Sequence, residues 1–149
     1  RLKKFVVPIP KIEAFDEYLF IGPHPDDIEV GAGATVSRLI EKGKKVLCLY
    51  STGCKYCKRT AIKLDVMIAR HELEKEDFVV AFWGKEKNIT KFYNETQVVK
   101  LPTAIVPPDV FLSATKGKQP IVVLLDNGKV MDIYRSITLD EDRIVDFLK

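Results

Sequence analysis

Short apolar runs alternate with helix-periodic polar stretches along most of the 149 residues. Tyr18-Leu19-Phe20-Ile21-Gly22 predicts a short buried strand, after an arm over residues 1–17 that is basic and then interrupted by proline. Pro23-His24-Pro25-Asp26-Asp27 reads as a loop in which Asp26 or Asp27 caps the next helix, with Glu29 in its first turn. That helix is expected to run to about Lys42, with Ala32, Val36, Leu39 and Ile40 inward, and to end at Gly43. Lys45–Ser51 is the second strand. Beyond it Cys57, Ala61, Leu64 and Ile68 recur at i, i+4, i+7 and i+11, one stripe of a helix. Asp77–Trp83 is a nearly continuous apolar run, as in a buried parallel strand. Asn88 is placed to cap a short helix through Tyr93, Leu101–Val106 is extended, and Asp109–Thr115 forms a helical turn or two. Gln119–Leu125 and Val130–Tyr134 flank Asp126-Asn127-Gly128-Lys129, and Asn-Gly between apolar runs predicts an antiparallel hairpin. Thr138-Leu139-Asp140-Glu141 reads as a capping box that opens a last helix with Ile144, Val145 and Leu148 inward.

This order predicts one α/β domain with a mostly parallel sheet, helices on both faces and an antiparallel hairpin at one edge. An apolar fraction of 46% suffices for a core. The net charge of +3 is too small to argue for nucleic acid, and the lysines look scattered, as on a solvated surface. No apolar run approaches the ~18–20 residues of a membrane span. No signal peptide is visible in a sequence that starts at Arg1.

The three cysteines change this picture most. One Cys-x-x-Cys pair and a lone Cys48 make neither a disulfide framework nor a zinc site. Cys48 sits within a strand and reads as a small buried hydrophobe. Cys54 falls at the start of a helix, where unpaired N–H groups and the helix dipole favour thiolate over thiol, and Lys55, Lys58 and Arg59 add positive charge. Cys57, one turn on, lies in the inward stripe. An accessible activated thiol with a shielded partner suits a nucleophile with a resolving cysteine.

From about Lys45 to Lys149 the chain resembles a thioredoxin-like fold, in particular the TlpA/ResA-like branch, which is often membrane-tethered. Cys54-Lys55-Tyr56-Cys57 lies between strand and helix, Gln119-Pro120 precedes a strand, and the Asn-Gly hairpin follows. Residues Asn88–Gly117 are similar to the extra segment of that branch. The resemblance implies a thiol–disulfide oxidoreductase with Cys54 as nucleophile, Cys57 as resolving thiol and Pro120 as the cis-proline shaping the substrate groove; Pro102 is the rival for that proline. It implies no cofactor, partners that are protein thiols or disulfides, and a periplasmic or other extracytoplasmic setting, and leaves redox direction and oligomeric state open. Three positions depart from the pattern. Cys48 stands where thioredoxins commonly carry a buried acid, Gly53 replaces the usual Trp, and no carboxylate follows Cys57 within a turn.

Residues Tyr18–Ser51 resemble a different family. Gly22-Pro23-His24-Pro25-Asp26-Asp27, then Gly31-Ala32-Gly33, looks like the opening motif of the LmbE/PIG-L zinc-dependent N-deacetylases. That resemblance implies His24 and Asp27 as zinc ligands and Asp26 as the base activating the metal-bound water, with small N-acetylated amino sugars as substrates. The only other histidine, His71, does not resemble the family's third ligand, and two protein ligands make a poor zinc site. A helix-capping loop is the plainer reading of His24–Asp27. The chain thus reads as residues 18–44 of one family joined near Gly43-Lys44-Lys45 to residues 45–149 of another, as a natural recombinant, a chimera or a hybrid α/β domain with neither half-site productive.

Overall fold

The computed structural model describes residues 39–149. The expected arm, first strand, His24–Asp27 loop and most of the first helix lie outside the described residues, and so does the position of that first strand in the sheet. Leu39 and Ile40 are helical and the chain bends over residues 41–43. Gly43 has φ +75°, a conformation that suits glycine. Its N–H donates to Asn127 Oδ1 at 2.8 Å while its carbonyl accepts from Asn127 N at 2.9 Å, which ties the entry of the sheet to the hairpin turn.

Among the described residues five strands form one sheet in the order β3-β2-β1-β4-β5, with β1 Lys44–Ser51, β2 Phe78–Trp83, β3 Thr103–Ile105, β4 Ile121–Asp126 and β5 Lys129–Arg135. The helices are α1 Lys55–His71, α2 Glu86–Thr96, α3 Pro108–Thr115 and α4 Glu141–Leu148. β1, β2 and β3 are parallel, β4 runs against β1, and β5 runs against β4. The Asn-Gly hairpin forms as expected, with positive φ at Asn127 and Gly128 (53° and 85°), the geometry whose twist matches the flanking strands. Leu124 pairs with Asp132 and Leu125 with Val130, so the register shifts there and Met131 is the extra residue in β5.

Alternation along each strand sorts the core into two layers. Val46, Cys48, Tyr50, Phe78, Val80, Phe82, Val122 and Leu124 face one side, with the inner stripe of α1 and with Phe92 and Ile144 from α2 and α4. Leu47, Leu49, Val79, Ala81, Ile121, Val123 and Leu125 face the other, with Phe111 of α3 and Ile40. Helices therefore cover both faces. The stripe of Cys57, Ala61, Leu64 and Ile68 is buried throughout. Tyr50, Phe82, Phe92 and Tyr93 make an aromatic cluster with ring centroids 4.9–6.0 Å apart, so these rings build core.

Two caps differ from the sequence reading. Asn88 does not cap α2, because Gly84 ends β2 close by and the helix starts one turn earlier, with Lys85 as N-cap and Glu86 in the first turn. Thr138 does not open the last helix. Its hydroxyl takes the Arg135 N–H at 2.8 Å in a 3-10 turn, Ser136–Thr138, and Asp140 caps α4 by accepting from Arg143 N at 3.1 Å.

Candidate active site

The site forms at the C-terminal end of β1. Ser51 leaves the strand, Cys54 N donates to Ser51 O at 3.2 Å, and Cys54 becomes the N-cap of α1 with extended backbone. Its Sγ takes the role an N-cap oxygen usually takes, accepting from Cys57 N at 3.2 Å. The helix N-terminus and this N–H thus both face Cys54 Sγ. The sequence places Cys54 at the open end of the helix as an accessible thiol; the structure leaves it half-buried, with Gln119 beside it. The Cys54 thiol lies 3.9 Å from the Gln119 carbonyl oxygen. The Gln119-Pro120 bond is cis, so Pro120, and not Pro102, is the cis-proline of the chain's described residues. Cys54, Cys57 and Pro120 are thus brought together from loops more than 60 residues apart.

Cys57 is fully buried. Burial pushes its thiol well above the ordinary range, the Cys54 side chain adds to the rise, and the Ser51 N–H, 3.4 Å from its Sγ, offsets part of it. Beneath it on the same sheet face lie Cys48 and Tyr50. Burial pushes Cys48 up to about 12, with Tyr50 partly opposing, and burial also raises the Tyr50 phenol well above its usual value. Cys57 is therefore surrounded by groups that hold their protons at neutral pH. Gly53, just before Cys54, faces open space: a Cβ there would meet nothing within 4 Å beyond its chain neighbours.

Several contributors escaped the sequence reading: the Ser51 N–H, the Gln119 carbonyl, and the approach of Gly84 to Thr52. A Cβ on Gly84 would lie 2.5 Å from Thr52 Oγ1 and 2.6 Å from Thr52 Cγ2. Thr52 N also donates to Trp83 O at 3.2 Å, so the end of β2 supports the loop that carries Cys54. A glycine immediately after a strand was the only signal for this contact.

His24, Asp26 and Asp27 lie outside the described residues. His71 is at the other end of α1 from Cys54, with Nε2 2.7 Å from Glu141 Oε2, and Arg70 Nη1 shares that carboxylate at 2.8 Å. Among the described residues no group of three or more His, Cys, Asp or Glu side chains is placed to hold a metal ion. Among the described residues no helix is long and apolar enough to cross a membrane.

A half-buried cysteine at a helix N-terminus, a buried partner one turn on, and a cis-proline before an antiparallel strand pair define a thioredoxin-like fold. Solved structures share it. The thioredoxin domain of a thiol-disulfide oxidoreductase from Bacteroides vulgatus is 16% identical, over 76% of this chain and 84% of that one, with TM-score 0.60. A secreted Mycobacterium tuberculosis disulfide oxidoreductase homologous to E. coli DsbE is 14% identical, over 78% and 84%, with TM-score 0.53. The exposed lipoprotein thioredoxin of Streptococcus pneumoniae is 18% identical, over 73% and 85%, with TM-score 0.54. The model of the PIG-L family, GlcNAc-PI de-N-acetylase, matches residues 19–89, just under half of the chain. The N-terminal resemblance therefore extends past Ser51 through β2. No curated protein matches the chain at a significant level.

Proposed function

We propose that the protein is a thiol–disulfide oxidoreductase, with Cys54 as nucleophile, Cys57 as resolving thiol and Pro120 shaping the groove beside them. The observation that carries this reading is Cys54 Sγ at the α1 N-cap, 3.2 Å from the Cys57 N–H and 3.9 Å from the Gln119 carbonyl. In the reducing direction Cys54 thiolate attacks one sulfur of a substrate disulfide. A mixed disulfide forms and the other substrate sulfur leaves as thiolate, taking a proton. Cys57, losing its proton, then attacks Cys54 Sγ and releases the second substrate thiol. Two electrons pass to the substrate and the Cys54–Cys57 disulfide remains, to be reduced by a dithiol donor. The reverse sequence oxidises a substrate dithiol. Burial raises the proton affinity of Cys57, so this second step requires its proton to be removed. Protein disulfides are the expected substrates, and an extracytoplasmic setting fits structural neighbours described as secreted or as an exposed lipoprotein.

The test is to trap the intermediate. Cys57→Ser should accumulate a mixed disulfide with a model disulfide through Cys54, and Cys54→Ser should form none. Equal labelling in both variants, or none in either, refutes the assignment.

The PIG-L match favours a second reading, in which His24, Asp26 and Asp27 belong to a zinc-dependent deacetylase site. It is carried by the sequence match alone, since His24, Asp26 and Asp27 lie outside the described residues.

A further inference from the structure

The rim of the site carries charge that the whole-chain balance conceals. Three loops meet around Cys54: the turn into α1, the turn after β2 held by Thr52 and Gly84, and the segment that ends in Gln119-Pro120. These loops and the first turns beside them carry Lys55, Arg59, Lys85, Lys87, Lys116 and Lys118, all exposed. None of the six is paired with a carboxylate among the described residues, whereas Lys58, close by, is held by Glu95 at 2.6 Å. Arg59 lies over the exposed Tyr56 ring, 5.5 Å from its centroid, which presents an aromatic face within the basic rim. Over residues 52–59, 84–88 and 116–120 the one carboxylate is Glu86. Acidic side chains gather at the opposite end of the sheet instead, as Glu72, Glu74, Glu76 and Asp77 before β2. A net charge of only +3 thus hides a basic active-site end among the described residues.

We propose that the disulfides this site accepts lie in acidic polypeptide segments, which the basic rim of Lys55, Arg59, Lys85, Lys87, Lys116 and Lys118 draws onto Cys54. This rests on the disulfide-exchange reading above and names its substrate class. Unpaired exposed cations attract an approaching chain over roughly a Debye length, ~10 Å at 0.1 M salt. Attraction of this kind raises association rates by ~10–1,000-fold and fades with ionic strength. A polypeptide is the fitting ligand because the cations come from three separate loops, so that one small anion cannot meet them together.

The full reduced chain is mixed with three peptides that share one disulfide and differ only in flanking residues: Glu, Ser or Lys. Second-order rate constants for thiol release are measured at low and high salt. The Glu peptide should react at least about tenfold faster than the Ser peptide at low salt, the Lys peptide should be slowest, and the spread should collapse at about 0.5 M salt. Lys116→Glu combined with Lys118→Glu should lower the Glu-to-Ser ratio severalfold, while Lys75→Glu, at the far end of β2, should leave that ratio in place. Equal rates for the three peptides, a preference insensitive to salt, or a ratio retained in the double variant overturns the proposal. So does oxidised glutathione accelerated as strongly as the Glu peptide, which would make the site a reader of small anions. Failure of every peptide and of neutral bis(2-hydroxyethyl) disulfide to react would instead remove the exchange reading itself.

Discussion

Gly84→Ala tests whether the end of β2 holds the cysteine loop in place. The added methyl would sit 2.5 Å from Thr52 Oγ1, 2.6 Å from Cγ2 and 3.1 Å from Cβ, each well inside contact distance. Thr52 is branched and its backbone is fixed to Trp83 O, so it cannot swing clear without moving Gly53 and Cys54. Overpacking of this kind costs ~1–3 kcal/mol, a sizeable share of a typical ~5–15 kcal/mol stability. With a urea dependence of ~1–3 kcal/mol per molar, the midpoint should fall by roughly 1 M. Urea melts of wild type, Gly84→Ala, Thr52→Ala and the double variant form a cycle. Thr52→Ala removes the two atoms nearest the clash, so the double variant should recover part of the loss and show a coupling of ~1 kcal/mol. Alkylation of Cys54 should slow in Gly84→Ala and recover in the double variant, because the shifted loop misplaces the Cys57 N–H on Cys54 Sγ. An unchanged midpoint in Gly84→Ala, or strictly additive effects, would refute the proposed contact.

Two further outcomes follow from the core. Phe82 is fully buried within the aromatic cluster, 4.9 Å from Phe92 and 5.9 Å from Tyr50 between ring centroids. Phe82→Ala should cost ~3–5 kcal/mol in urea melts, and a loss below ~1 kcal/mol would contradict the packing. Burial raises Cys48 from 9.0 to about 12. Above pH ~9 the unfolded chain therefore releases a proton that the folded protein retains, and stability falls with pH. The contribution is complete below about pH 9 and is lost between about 9 and 12, amounting to ~4 kcal/mol over the whole window. In reducing buffer the stability gap between wild type and Cys48→Ala should shrink by ~1.4 kcal/mol per pH unit above about pH 9, and parallel pH curves would refute the assignment.

Elements governed by short-range signals were legible in the sequence. The period of Cys57, Ala61, Leu64 and Ile68 gave α1 its buried face, and Asn127-Gly128 gave the hairpin its turn, because each depends on a few neighbouring residues. The caps failed where rival polar residues stood close together: Asn88 against Lys85, and Thr138 against Asp140. There the chain on the far side decided, with Gly84 ending β2 and Thr138 already committed to Arg135. The site was legible in its cysteines and Pro120 but not in its surroundings. Lys55, Lys85 and Lys118 are about thirty residues apart in sequence and look like a scattered solvated surface until three loops bring them together.

The two family resemblances overlap for a physical reason. β1, α1 and β2 form a strand–helix–parallel strand unit, whose crossover is right-handed in nearly all α/β proteins and whose strands read as continuous apolar runs. The PIG-L match, residues 19–89, covers the whole of this unit. The PIG-L match ends at residue 89, before β3, the cis-proline and the β4–β5 hairpin. β4 lies antiparallel against β1 from Lys44 to Leu49, on the side away from β2, and brings Gln119-Pro120 up to Cys54. With β4 there and β3 beside β2, β1 and β2 are each paired on both sides. The sheet around Cys54 is thus set by the C-terminal segment, whatever family supplied the strand–helix–strand unit that carries the cysteines.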